Sequence, residues 1–178
     1  MSDENVLTGP WDNITVALKE VNETIRKALA KATQRNLRMM EATLVKHLQN
    51  QDLGWPALGP VYKKWKEKHK LSNQILIATS VLMNSITTQV FGNGIEGFTG
   101  VLRQTRGGVG PKRGASGKFV KGKRPRPVLI MAVHEFGLGR NKKRPLFTPS
   151  FNEKGDEMVK VYVDAVEKAL NELIHGGK

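Results

Sequence analysis

Residues 133–151, VHEFGLGRNKKRPLFTPSF, combine side chains that can do chemistry. His134 and Glu135 are the first half of the motif with which zinc proteases bind their metal. That motif requires a second histidine four residues after the first, and Leu138 stands at that position. The segment is therefore either an active site of another kind or a structural joint, in which glycines turn the chain and prolines hold it extended.

No other catalytic motif accompanies this segment. The sequence contains neither G-x-S-x-G nor the phosphate-binding G-x-x-x-x-G-K-[ST]. It has no cysteine and only four histidines, which excludes disulfides and thiolate metal sites. We therefore predict that the protein is not an enzyme and uses no metal or cofactor.

The second candidate for chemistry is a basic segment, residues 103–126. It holds nine of the 29 lysines and arginines and no acid, together with six glycines and two prolines. Such a composition buries too little apolar surface to order itself, which predicts a long solvated loop or an extended hairpin. The candidate contacts for a partner or for phosphate groups are Arg103, Arg106, Lys112, Arg113, Lys118, Lys121, Lys123, Arg124 and Arg126.

A long amphipathic helix is predicted before these segments. Apolar residues recur every three or four positions over residues 14–48, with no glycine or proline between them. An unbroken helix over this span is about 50 Å long, whereas a domain of this size is about 40 Å across. Either the helix breaks within residues 34–38, or it packs on a neighbouring subunit. In the second case the residues left for an oligomer contact are Leu37, Met40 and Leu44.

The remaining pattern predicts an α+β fold. A short helix with five lysines over residues 61–70 precedes a helix over residues 71–86, and residues 85–101 form two strands around Gly92-Asn93-Gly94. The apolar run of residues 127–137 indicates a buried strand, and residues 158–174 an amphipathic helix. We expect a small, mainly antiparallel sheet packed with a long N-terminal helix, short middle helices and a C-terminal helix. Residues 1–12 are assigned to an N-terminal arm and residues 13–175 to one domain.

Four blocks of the sequence resemble a known family. They are WPALGPVYKKWK (55–66), ILIATSVLMNSI (75–86), AVHEFG (132–137) and RPLFTPSF (144–151). In this order they resemble the virion morphogenesis family of tailed bacteriophages, which includes tail-completion and neck proteins. The chain departs from the family's pattern at Ser80, where glycine is usual, and at Leu146, which separates Pro145 from Phe147.

The resemblance implies a structural virion protein that assembles as a six-fold or twelve-fold ring at the head–tail junction. Adjacent connector and tail proteins would be its partners, and packaged DNA is a further candidate. The polar N-terminus and the lack of any run of about 18 apolar residues indicate synthesis in the host cytoplasm without a membrane partner.

On this interpretation residues 133–151 are a joint. Glu135 is a candidate partner for Arg140 or Arg144, and His134 is an ordinary polar side chain with its hydrogen bonds satisfied. The predicted joint and interface residues are Trp55, Trp65, Gly137, Arg144, Pro145, Phe147, Pro149 and Phe151.

Two other functions compete with the ring. A small α+β domain with a basic, glycine-rich loop also describes many nucleic-acid-binding proteins, in which the 103–126 segment would contact phosphates. Against this, the segment has a single aromatic residue, Phe119, for stacking on bases, and no basic recognition helix stands out. A peptide-binding or scaffolding adaptor of the phage capsid is the third alternative.

Overall fold

The computed structural model describes residues 11–78, 80–101, 109–113, 119–123 and 126–175. In chain order the elements are α1 (Trp11–Asn50), α2 (Pro60–Lys68), a 3-10 turn (Met83–Ser85), β1 (Ile86–Val90), β2 (Gly97–Val101), β3 (Val109–Arg113), β4 (Phe119–Lys123), α3 (Pro127–Phe136) and α4 (Phe147–His175). The strands form two antiparallel hairpins, β1–β2 and β3–β4. The predicted α+β class is confirmed.

Helix α1 is continuous, so the break predicted within residues 34–38 is wrong. Asn36 of this region and the neighbouring Thr33 bind other elements instead. Asn36 donates from Nδ2 to the carbonyl of Met158 at 3.0 Å, and Thr33 Oγ1 lies 3.0 Å from the hydroxyl of Tyr162. These contacts hold α4 antiparallel along α1. Since α1 begins at Trp11, the last two residues of the predicted arm belong to the helix, and residues 1–10 lie outside the described part of the chain.

The β1–β2 hairpin forms where the Gly92-Asn93-Gly94 turn predicted it. Ile86 pairs with Val101 and Val90 with Gly97. In the turn, the side-chain oxygen of Asn93 accepts the backbone N–H groups of Ile95 and Glu96, both at 3.1 Å. Because β1 and β2 lie against α1, the hairpin covers that helix on the side that the sequence left open.

The 103–126 segment contains the second hairpin. Val109 pairs with Lys123, and Arg113 pairs with Phe119. For the described residues the structure thus takes the extended-hairpin alternative. Among the nine predicted cations only Arg126 has a described side chain, and it is exposed before α3. The side chains of the other eight lie outside the described part.

The strand predicted over residues 127–137 is wrong, because this run is helix α3. Pro127 occupies the first turn of the helix, where its fixed φ is favourable and its missing N–H costs nothing. Pro127, Met131 and Glu135 are buried at intervals of four, which is one helical face. Gly137 ends the helix at φ +69°, the left-handed conformation that glycine adopts without strain. A short apolar run alone does not distinguish a strand from a buried helix.

The helix predicted over residues 71–86 is also wrong, apart from the 3-10 turn. Its place is taken by an irregular loop wrapped around Lys66. The amino group of Lys66 donates to the carbonyls of Gln74 at 2.7 Å and Ile77 at 3.0 Å. Those are carbonyls that a helix would have used internally, and Leu76 adopts φ +62°. The loop still supplies apolar side chains to the core.

One hydrophobic core joins the helices, the loop and the first hairpin. Its buried members are Met40, Leu44, Leu48, Trp55, Ile77, Leu82, Ile86, Val101, Met131 and Leu146. The core therefore lies against the C-terminal half of α1, while the N-terminal half of α1 runs beside the C-terminal half of α4.

Candidate functional site

The predicted joint is built around the carboxylate of Glu135. It accepts the backbone N–H groups of Leu146, Phe147 and Thr148 at 2.6, 3.0 and 2.9 Å, and the hydroxyl of Thr148 at 2.7 Å. These are the N–H groups that the first turn of α4 leaves without helical partners. Burial by itself raises the pKa of Glu135, but the hydrogen bonds from Thr148, Leu146 and Phe147 outweigh it and hold the pKa below its usual value. Glu135 is thus a buried, ionised cap of α4.

The ion pair predicted between Glu135 and Arg140 or Arg144 is wrong. Arg144 is buried and donates from Nε to the carbonyl of Pro56 at 2.9 Å and from Nη2 to that of Ala57 at 3.0 Å. The indole N–H of Trp55 donates to the carbonyl of Pro145 at 2.7 Å. These bonds tie residues 55–57, 135 and 144–148 together, and we call this set the joint.

His134 takes no part in these bonds. Its Nδ1 is buried without a hydrogen-bond partner, while the ring is also hydrogen-bonded to the backbone of Lys142, so the side chain is only partly the satisfied polar group that was predicted. Burial lowers the pKa of His134, and the charge of Arg144 lowers it further, which keeps the imidazole neutral at pH 7. The described hydrogen bonds to the Glu135 oxygens come from Leu146, Phe147 and Thr148, and none comes from His134.

The other predicted joint residues differ in their surroundings. Gly139 adopts φ +67°, as a turn after α3 requires. Pro149 lies in the first turn of α4 instead of in the predicted extended path, because Glu135 caps the helix two residues before it. Phe147 packs partly buried against the core, whereas Phe151 is exposed. Both line a groove of about 460 Å³ with Leu37 and other residues.

The oligomer contact predicted on α1 is wrong for Met40 and Leu44, two of its three residues. Met40 and Leu44 are buried in the core of their own chain, and Leu37 is partly buried. A Cβ placed on Gly97 would collide with the side chain of Leu37, so β2 lies directly on this face of the helix. The first hairpin therefore covers the residues that the sequence left without a domain to cover them.

One row of exposed apolar residues lies on α4, and the sequence analysis missed it. Val159, Val163, Leu170 and Ile174 expose 62%, 48%, 39% and 70% of their surface. We call these four residues the α4 stripe. They continue the apolar arc of α4 past the half-buried Val166 and Leu173, on the side away from the buried Val161. The available signal was the width of the apolar arc of α4, which exceeds what one partner helix covers.

Helix α2 carries the last predicted residue, Trp65. Its partly buried ring stacks on Tyr62, with centroids 5.9 Å apart, and on His69 at 4.2 Å. The next residue, Lys66, is only 1% exposed, and burial lowers its pKa to about 8. From the sequence, Lys66 was interpreted as one of five lysines on a solvated helix face. The fold makes it the centre of the 71–82 loop.

The described side chains include no group of three or more histidines and acids that could hold a metal ion. Within the described ranges, every helix is too short or too polar to cross a membrane. Compared with protein-family models, with curated proteins and with solved structures, the chain matches none. The candidate functional surfaces are the α4 stripe and the basic segment of residues 103–126.

Proposed function

We propose that this protein is a structural, non-enzymatic component of a tailed-bacteriophage virion and assembles as a ring at the head–tail junction. The observation that carries the proposal is the α4 stripe. Four exposed apolar side chains follow one face of a rigid helix for about 22 Å, and contiguous exposed apolar surface of this kind marks a site of protein association.

The joint supports the same function. Three of the four blocks that resemble the virion morphogenesis family meet there: Trp55 of the first block binds Pro145 of the last, and Glu135 of the third caps the helix that the last block begins. Of the two residues that suggested an active site, Glu135 is used to cap α4. A helix held rigidly at its N-terminus presents its outer face in one direction, as a subunit of a closed ring must.

The basic hairpin supplies a surface for a different partner. In a ring, each copy adds the nine cations of residues 103–126, and so high a density of charge requires counter-charge. Acidic surfaces of adjacent ring proteins and packaged DNA are the two candidates. We favour protein, because a channel that bound DNA tightly would hinder passage of the genome.

The function is tested by electron microscopy of the purified protein and by complementation in a phage that lacks it. We expect ring particles, and rescue of head–tail joining by the wild-type chain. A variant with glutamine at six cations of the hairpin should still form rings but fail to join heads to tails. The six positions are Arg106, Lys112, Arg113, Lys118, Lys121 and Lys123.

The competing function predicts the opposite pattern. A nucleic-acid-binding protein stays monomeric and retards duplex DNA, with a binding constant that falls steeply with salt. A monomer with this behaviour, or normal virions in the absence of the chain, would refute the ring proposal.

A further inference from the structure

The outer face of α1 carries a row of cations. Residues three, four, seven or eight apart share one face of a helix, and five exposed cations follow this spacing on the side opposite Leu44. The row is about 28 Å long, and within the described residues none of the five belongs to an ion pair. Its members are Lys27, Lys31, Arg35, Arg38 and Lys46.

The outer face of α4 carries acids. Asp156, Asp164 and Glu167 are exposed, and they take no part in the ion pairs of the described residues. They lie on the side of α4 that faces away from its contact with α1 and are adjacent to Val163 and Ile174 of the α4 stripe. The antiparallel pair thus carries opposite charge on its two outer faces.

The two rows have the same spacing in opposite directions. From Asp156 the next two acids on this face follow after eight and three residues, while Glu157 pairs with Lys154. Backwards from Lys46 the cations follow after eight and three residues. Two such helices packed antiparallel align three pairs at once, and Lys160 of α4 then faces the small, exposed Ala42 instead of a cation. The three pairs are Asp156 with Lys46, Asp164 with Arg38, and Glu167 with Arg35.

We propose that the outer face of α4 in one copy packs antiparallel on the outer face of α1 in the next copy. This inference rests on the proposed function, for which it names the contact between neighbours. Such a head-to-tail contact uses two different surfaces of each subunit, and it closes into a ring when the rotation permits.

The direction of the helices agrees with this arrangement. Rotation about a ring axis leaves helices that run along the axis pointing the same way in every copy. The α1 helix of a neighbour therefore runs antiparallel to α4, as it does within one copy, where His47 pairs with Glu153 at 3.0 Å. The apolar stems of lysine and arginine on α1 can cover the edge of the α4 stripe while their charges meet the acids.

The cation row alone would also suit phosphate groups of duplex DNA. That alternative leaves the matched acids of α4 and the stripe beside them without a role. A second copy of the chain accounts for all three surfaces, and charge-swap variants separate the two explanations.

The test measures the association constant of purified full-length variants by sedimentation velocity at low and physiological salt. One variant carries Arg35→Glu and Arg38→Glu, another Asp164→Arg and Glu167→Arg, and a third all four changes. Each double variant should associate about 10- to 100-fold more weakly than wild type, because like charges then face each other. The fourfold variant should return to within about threefold of wild type. Lys63→Glu with Lys64→Glu, an equal charge change on exposed positions of α2, should leave association unchanged.

The possible results are distinct. If wild type forms rings and no charge swap alters them, the proposed contact is wrong but the proposed function stands. If wild type is monomeric, the proposed contact is wrong as well. Swaps that behave as expected in a phage that assembles normally without the chain would support the contact and refute the function. If only the α1 reversal abolishes binding to duplex DNA and the fourfold variant does not recover association, the row binds phosphate and the proposal is wrong. Recovery in the fourfold variant also excludes misfolding as the cause of the earlier losses.

Discussion

The joint buries its polar side chains and pairs them, whereas the outer surface of the α1–α4 pair exposes both charged and apolar side chains. In the joint, Glu135, Arg144 and Trp55 are buried, and each directs its polar atoms at backbone groups of a distant segment. On the outer surface, cations of α1 and acids of α4 have no ion-pair partner among the described residues, and Val159 and Ile174 are exposed. The first region is completed within one chain, and the second is the surface that the proposed contact with another copy would cover.

Removal of the Glu135 carboxylate from the joint is expected to have the largest effect on stability. Glu135→Ala leaves three backbone N–H groups of α4 and the hydroxyl of Thr148 without their acceptor, and we expect a loss of about 4 kcal/mol in the free energy of unfolding. Urea denaturation measures it. Glu172→Ala, at an exposed carboxylate 4.0 Å from Lys168, should cost less than about 0.5 kcal/mol. Equal losses in the two variants would contradict the difference between the regions.

The same carboxylate predicts a dependence on acid. The folded pKa of Glu135 lies below the ordinary value of 4.5, so its ionised form stabilises the fold at every pH above that value. This contribution is lost as the pH falls through the lower, folded pKa. Glu135→Gln should lack that part of the acid denaturation profile. A profile identical to that of wild type would show that the bonds to α4 do not depend on the charge.

A second buried polar group, Lys66, extends the comparison to alkaline pH. Its pKa is about 8 in the fold against 10.5 in the unfolded chain, so between these values the unfolded chain binds more protons. The free energy of unfolding therefore rises with pH across this window, by up to about 3 kcal/mol relative to Lys66→Met. Urea denaturation of both proteins between these pH values tests it. Parallel curves would mean that the amine is solvated, as the sequence suggested.

The smallest effect on stability is expected on α4 itself. Val163→Ser changes an exposed residue of the α4 stripe and should alter the free energy of unfolding by less than about 0.5 kcal/mol, while it weakens association. Val161→Ser, two residues away and buried, should cost about 2 kcal/mol. Thermal unfolding and sedimentation of both variants give the two quantities. If Val163→Ser associates like wild type, the stripe is not an association surface.

The sequence predicted an element correctly where interactions between neighbouring residues decide its structure. The Gly92-Asn93-Gly94 turn predicted β1–β2, because a tight turn and its flanking strands are set by neighbouring residues. The period of α4 predicted a helix for the same reason. Residues 127–137 and 71–86 were assigned wrongly, because the first is a short apolar run without a decisive period and the second is shaped by Lys66 of another element.

The candidate site was predicted in part. The sequence located the joint and the basic segment, because their glycines, prolines and cations are unusual in composition. It did not predict which atoms Glu135 and Arg144 bind, since their partners lie in segments that are distant along the chain. It also assigned Met40 and Leu44 to an oligomer contact, because nothing in the period of α1 shows that these residues are buried in the core of their own chain.

By itself the sequence determined the helical period of α1, the turn between β1 and β2, the amphipathic α4 and the position of the excess charge. These features depend on backbone preferences and on spacing within a few residues. Tertiary structure alone decided that Lys66 is buried, that Glu135 caps α4, and that the outer faces of α1 and α4 carry opposite charge. The reason is that solvent exposure is a property of packed surfaces, and a residue's partners across the fold decide whether its charge or apolar surface is already satisfied or available to another molecule.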